Sequence, residues 1–138
     1  MIRDERQALI HVDAVEVAGV RRENGWHDLA IRFVGGDLTG SQDVCFFHAR
    51  FPPGAAHEPH LHPNADELYF LISGRATVGV GDDEHVIEAG TVHFVRRGEV
   101  HWLRNAEEED AAVEVAGLYI GAPSLEAAGY EHVGRAAT

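Results

Sequence analysis

The sequence predicts an all-β domain, a sandwich or barrel of short strands, and three observations carry that reading. Short extended segments with apolar–polar alternation recur along the chain, each is closed by a glycine-, proline- or aspartate-bearing turn, and helical periodicity is almost absent. At 138 residues the chain can bury one core without staples and is too short for two ordinary domains.

Residues 1–25, with Val12, Val15, Val17 and Val20, read as an N-terminal extension or added strand, too apolar to dangle freely. The barrel is expected over residues 26–120. Its first strand, 26–34, alternates Leu29, Ile31 and Phe33 against polar neighbours and ends at Gly35-Gly36-Asp37. The next, 43–51, is closed by Pro52-Pro53-Gly54. Residues 75–80 and 85–88 flank Gly81-Asp82-Asp83-Glu84, a hairpin turn. Strands over 91–95, 101–105 and 112–120 follow. They are separated by Arg96-Arg97-Gly98, read as a surface turn, and by Glu107-Glu108-Glu109-Asp110, read as a solvated one. The tail, 121–138, carries the one clear helical signal: Ser124 can cap a turn or two, and Gly129 can end it in a left-handed conformation. So short a helix must pack on the barrel, as a plug over a sheet edge or as a lid contributing Tyr130 or His132.

Composition excludes several classes of function. With 23 acidic and 11 basic residues the formal net charge is −12, which argues against nucleic acid and anionic membranes as partners. All eleven basic residues are arginines, so Schiff-base chemistry and a lysine base are excluded. The single cysteine, Cys45, rules out an intramolecular disulfide, and in the run Val44-Cys45-Phe46-Phe47 it reads as a buried, inert thiol. The charged N-terminus lacks the apolar stretch of a signal peptide and no run is long enough to span a bilayer, so a soluble, cytoplasmic protein is expected.

The segment from Gly54 to Gly74 carries the chemistry. His60 and His62 stand two apart, so on an extended strand they share a face, and Pro63-Asn64 supplies a turn that would let Glu67 return on the neighbouring strand. Tyr69 and Leu71 share the face of Glu67, which puts a phenol beside the carboxylate. His101, just after the turn at Gly98, can enter from a third direction. His57 reads as an exposed loop histidine, His48 and His93 lie in strands whose facing the sequence leaves open, and Trp26 and Trp102 read as packing residues.

These two segments resemble the two sequence motifs of the cupin superfamily. The first matches at Gly54, His60, His62, Glu67 and Gly74, and the second at Gly90, Gly98, His101 and Asn105. The second departs at Arg96, where the family usually carries proline; proline would stiffen the turn but supplies no ligand. The resemblance implies a single cupin domain, a double-stranded β-helix or jelly-roll barrel, with His60, His62, Glu67 and His101 holding one divalent transition metal. Iron(II) is the leading expectation, with zinc, manganese or nickel open. The function expected is a metal-dependent enzyme acting on a small organic molecule: first an iron(II) dioxygenase, alternatively a non-redox isomerase, lyase or cyclase, or a small-molecule-binding cupin without turnover. Tyr69 is the candidate catalytic side chain. A homodimer, formed by strand exchange or sheet extension through the N-terminal valines, is the expected assembly.

Overall fold

The computed structural model describes residues 7–106, 108 and 110–134. Among these residues eleven strands and two one-turn α-helices are defined: β1 (Trp26–His27), β2 (Ala30–Val34), α1 (Gly36–Thr39), β3 (Val44–Phe51), β4 (Ala56–Leu61), β5 (Asp66–Ser73), β6 (Arg75–Val80), β7 (Asp83–Glu88), β8 (Val92–Val95), β9 (His101–Arg104), β10 (Val113–Ile120), α2 (Leu125–Ala128) and β11 (Glu131–His132). They form two antiparallel sheets. One runs β1-β4-β9-β6-β7 with β11 added on β4, and the other runs β2-β3-β10-β5-β8.

Alternation builds the core. In β5, Glu67, Tyr69 and Leu71 face inward and are buried, while Phe70 and Ile72 face outward. Phe47, Gly117 and Tyr69 lie in one row across β3, β10 and β5. A Cβ on Gly117 would stand 2.7 Å from the Phe47 ring and 2.6 Å from Cβ of Tyr69, so the missing side chain is what lets two aromatic rings share the space above β10.

Several sequence expectations are corrected. The single strand over 26–34 is divided: Asp28 takes φ +65°, and β1 and β2 pair in different sheets. Glu67 does not return on a strand neighbouring β4; β4 pairs with β1, β9 and β11, and β5 belongs to the facing sheet, so the carboxylate meets the histidines across the sandwich. The hairpin turn is only Gly81-Asp82, with Gly81 at φ +60°. Helix α1 was not foreseen. Ser124 does cap α2, its hydroxyl accepting the Ala127 N–H at 3.0 Å, but Gly129 has ψ 150° and is not left-handed helical. In the acidic run Glu108 and Asp110 are exposed, while Glu107 and Glu109 lie outside the described residues.

The N-terminal segment lies on its own barrel. The Gln7 N–H reaches the Leu38 carbonyl, the Ala18 N–H reaches that of Ile31, and the Arg32 guanidinium holds the Val15 carbonyl. Val12, Val15 and Val20 are consequently half-buried against their own chain, although Val17 stays 44% exposed. No helix among the described residues is long and apolar enough to cross a membrane.

Candidate metal centre

Paired strands bring His60 and His101 face to face, since they are direct partners in the β4–β9 ladder. His62 follows just past the end of β4, and Glu67 enters from β5 of the other sheet. All four are buried, and one donor atom from each lies within 4.8 Å of the others.

The imidazole tautomers follow from their backbone partners. His60 Nδ1 is 2.7 Å from the Glu58 carbonyl, His62 Nδ1 2.7 Å from that of Gly129, and His101 Nδ1 3.0 Å from that of Glu99. A carbonyl only accepts, so each Nδ1 carries the hydrogen and each neutral ring presents its Nε2 lone pair to the centre. Two of those nitrogens approach one carboxylate oxygen, with His101 Nε2 at 3.0 Å and His62 Nε2 at 3.1 Å from Glu67 Oε1. Lone pairs converging on a carboxylate repel unless a cation stands between them. His62 Nε2 is buried with no hydrogen-bond partner. The donor set therefore fits a divalent metal ion.

Without an ion, the electrostatics of the centre rest on Glu67 and His101. Burial alone would raise the Glu67 carboxyl, but the charge of His101 and its hydrogen bond hold it well below the usual range. Burial and the neighbouring histidines keep His60 neutral. For His101, burial is outweighed by Glu67, which raises its pKa. In the absence of a metal, a proton on His101 supplies the positive charge the carboxylate requires.

Around this group lies an aromatic layer that was only partly foreseen. His57 is not an exposed loop residue: it is in β4, with its ring stacked 3.6 Å from His60 on one side and 3.8 Å from Trp26 on the other. Burial, then the nearby histidines, keep it neutral. The Tyr130 hydroxyl donates to the Asn24 carbonyl at 2.6 Å, so at 2.9 Å it accepts from His57 Nε2, and His57 keeps Nδ1 as its acceptor. Tyr119 packs its ring 4.8 Å from His62. Neither Tyr119 nor the Gly129 carbonyl was singled out from the sequence, and only their distant pairings reveal them.

Tyr69 lines the same pocket as Glu67, His60 and His101, with its hydroxyl 2.7 Å from His93 Nδ1. Burial first, and the Glu67 charge second, raise its pKa, so it is a neutral phenol. His93 faces inward and its Nε2 has no partner. The remaining wall is apolar, including Trp26, Ile31, Phe47, Phe51 and Val115, and no arginine lines it. The enclosed space beside these residues is about 40 Å³.

Other candidates lie elsewhere. His48 faces outward and pairs with Glu114 at 2.7 Å, and Arg96 and Arg97 are exposed in the turn, where the Arg97 N–H bonds the Asp66 carboxylate. Cys45 is fully buried and its thiol is pushed up to about 12, first by burial. His132 does not reach the centre; with His27 it holds the Glu58 carboxylate, each at 2.8 Å.

Comparison with known proteins agrees with this architecture. The polyketide cyclase RemF from Streptomyces resistomycificus superposes with a TM-score of 0.73 at 16% identity, over 93% of this chain and 86% of that one. A predicted oxalate decarboxylase from Thermotoga maritima gives 0.71 at 18%, over 82% and 98%. Oxalate decarboxylase from Bacillus subtilis, described with Mn(II) centres, gives 0.70 at 19% over 88% of this chain, which spans only 31% of it. At these identities the likeness shows the fold. No curated protein matches in sequence. Residues 47–119, more than half of the chain, match the cupin domain family, and the protein belongs to that family.

Proposed function

We propose that this cupin is a mononuclear metal-dependent enzyme acting on a small, flat, largely apolar organic molecule by non-redox chemistry such as cyclisation, isomerisation or elimination. The observation that carries the reading is the set of three histidines, each locked through Nδ1 to a backbone carbonyl and clustered with one ionised, buried carboxylate. His60, His62, Glu67 and His101 would hold the ion. Bound there, it would supply Lewis acidity toward a substrate oxygen.

The chain's own residues account for the rest. Trp26, Phe47, Phe51, Tyr69 and Tyr119 offer ring faces and edges suited to an aromatic or polyene substrate. Without arginine or lysine in the wall, a small dianion such as oxalate would have no partner beyond the centre itself. His57 offers a neutral acceptor and Tyr69 a neutral hydroxyl for orienting a substrate phenol or enol. The fold is shared with a polyketide cyclase, which supports the non-redox choice over the iron(II) dioxygenase that the sequence first proposed. The test is product analysis on aromatic polyketide-like substrates with oxygen uptake followed in parallel. Turnover without oxygen uptake is expected, and stoichiometric oxygen uptake would restore the dioxygenase.

A further inference from the structure

Given the metal centre proposed above, we infer that residues 129–133 form a strap that positions its ligands: Gly129 and Tyr130 are positioning residues, and the ion is held tightly only while this segment stays docked. An asymmetry among the three histidines points there. His60 and His101 find their Nδ1 partners two residues upstream, at the Glu58 and Glu99 carbonyls, so their own segments fix those tautomers. His62 depends on a distant segment. Its Nδ1–H is held at 2.7 Å by the carbonyl of Gly129, 67 residues along the chain, and its buried Nε2 has no protein partner. Loss of that carbonyl frees both the tautomer and the ring orientation of His62.

The strap crosses from one sheet to the other. As far as Ala128 the chain is tied down: the Gly121 N–H bonds the Asp43 carbonyl, the Gly36 N–H bonds that of Pro123, and the Asn64 N–H bonds that of Ala128, all within 2.9 Å. Beyond Gly129, β11 joins β4 of the facing sheet, with Glu131 opposite Leu61 and His132 opposite His60, and the Val133 N–H reaches the Pro59 carbonyl at 2.8 Å. Tyr130 lies over the ligand strand. Its ring is 5.2 Å from that of His60 and 5.3 Å from that of Trp26, and its hydroxyl ties His57 to the Asn24 carbonyl. Docking is this close because residue 129 is glycine at φ +83°, where a Cβ would stand 2.7 Å from Cδ and Cγ of Pro63. The anchor is nonetheless slight. A two-residue strand with both residues exposed opens at a fraction of the cost of unfolding the barrel. Opening takes the Gly129 carbonyl and the Tyr130 ring away together, so a strap that tightens the ion is itself tightened by the ion, by the same factor.

Zinc binding and amide exchange on the full chain test this. In metal-free wild type the Val133 amide should exchange faster than the Leu71 amide, which bonds the Thr91 carbonyl in the barrel core. Saturation with zinc should slow Val133 by roughly 10- to 100-fold, the usual reach of a group that orients a metal ligand. Gly129→Ala should lift the strap off Pro63 and raise the zinc dissociation constant, measured by chelator competition, by a similar factor. Gly90→Ala, also at positive φ but with open space around it, should bind zinc as wild type does. Val133 exchange that zinc leaves unchanged would overturn the inference, because the strap would then open without disturbing the ion. Equal rates at Val133 and Leu71 would do so too, since the segment would open only with the barrel. Wild-type affinity in Gly129→Ala, or equal weakening in both glycine variants, would refute the strap and leave the metal centre standing. Wild-type protein that takes up neither zinc nor any other divalent ion would overturn the centre and the strap with it. Should Gly129→Ala fail to fold, the exchange of wild type decides alone.

Discussion

Asn105 offers the sharpest test of how the barrel holds its site. It follows β9, four residues after His101, is 1% exposed, and its Nδ2 donates to the Phe51 carbonyl at the end of β3 and to the Ala111 carbonyl before β10, both at 2.9 Å. Its backbone N–H and C=O pair with Ala55 and Gly54 at 2.9 and 2.8 Å. One side chain thus ties together three segments that diverge at this corner. Asn105→Ala removes both donated bonds, and each buried carbonyl that loses its donor costs about 1–3 kcal/mol. Ala111 is partly accessible to water, and the Asn105 Oδ1 is itself unpartnered, so the lower part of that range applies. We expect a loss of about 2 kcal/mol, and for a domain of this size a Tm lowered by roughly 7 °C. Urea denaturation of metal-free protein should show a lower midpoint with an unchanged m-value. A loss below about 1 kcal/mol, with m unchanged, would refute the assignment of Asn105 as the tie.

Two further outcomes follow from the site and its flank. If the Tyr69 hydroxyl serves in turnover, Tyr69→Phe should keep fold and metal while kcat/KM falls about 10²-fold; activity within a few-fold of wild type would confine Tyr69 to packing against His93. The Glu58 carboxyl is opposed by burial but held below its usual range by its bonds to His132 and His27. Its pKa is thus lower folded than unfolded, and its stabilisation is complete above the ordinary carboxylate range, about pH 4.5, and lost as pH falls through the folded value. The stability gap between wild type and Glu58→Gln should therefore narrow on acidification from pH 7 toward pH 3, and a gap that widens would contradict the pairing.

Much of the site was legible because strand geometry is strict. Two histidines at i and i+2, and Glu67 with Tyr69, must share faces once their segments are extended, and they do. What was hidden depended on distant partners. Which sheet Glu67 belongs to was not visible locally, because Pro63-Asn64 reads equally well as a hairpin turn or as a crossing between sheets. His57 was misread since prolines flank its segment; the register shift between His57 and His60 is what turns both rings inward. The tautomer of His62 is set by a carbonyl 67 residues away. Asp28 divides a run that alternates well enough to pass for one strand.

The central claim, that three pinned histidines and Glu67 hold one divalent ion, is tested most directly by elemental analysis of freshly purified protein beside His62→Ala. The expected result is one equivalent of a transition metal per chain in wild type and its loss in the variant, with both folded. Wild-type protein that is isolated without metal and takes up none of iron, manganese, nickel or zinc would contradict it.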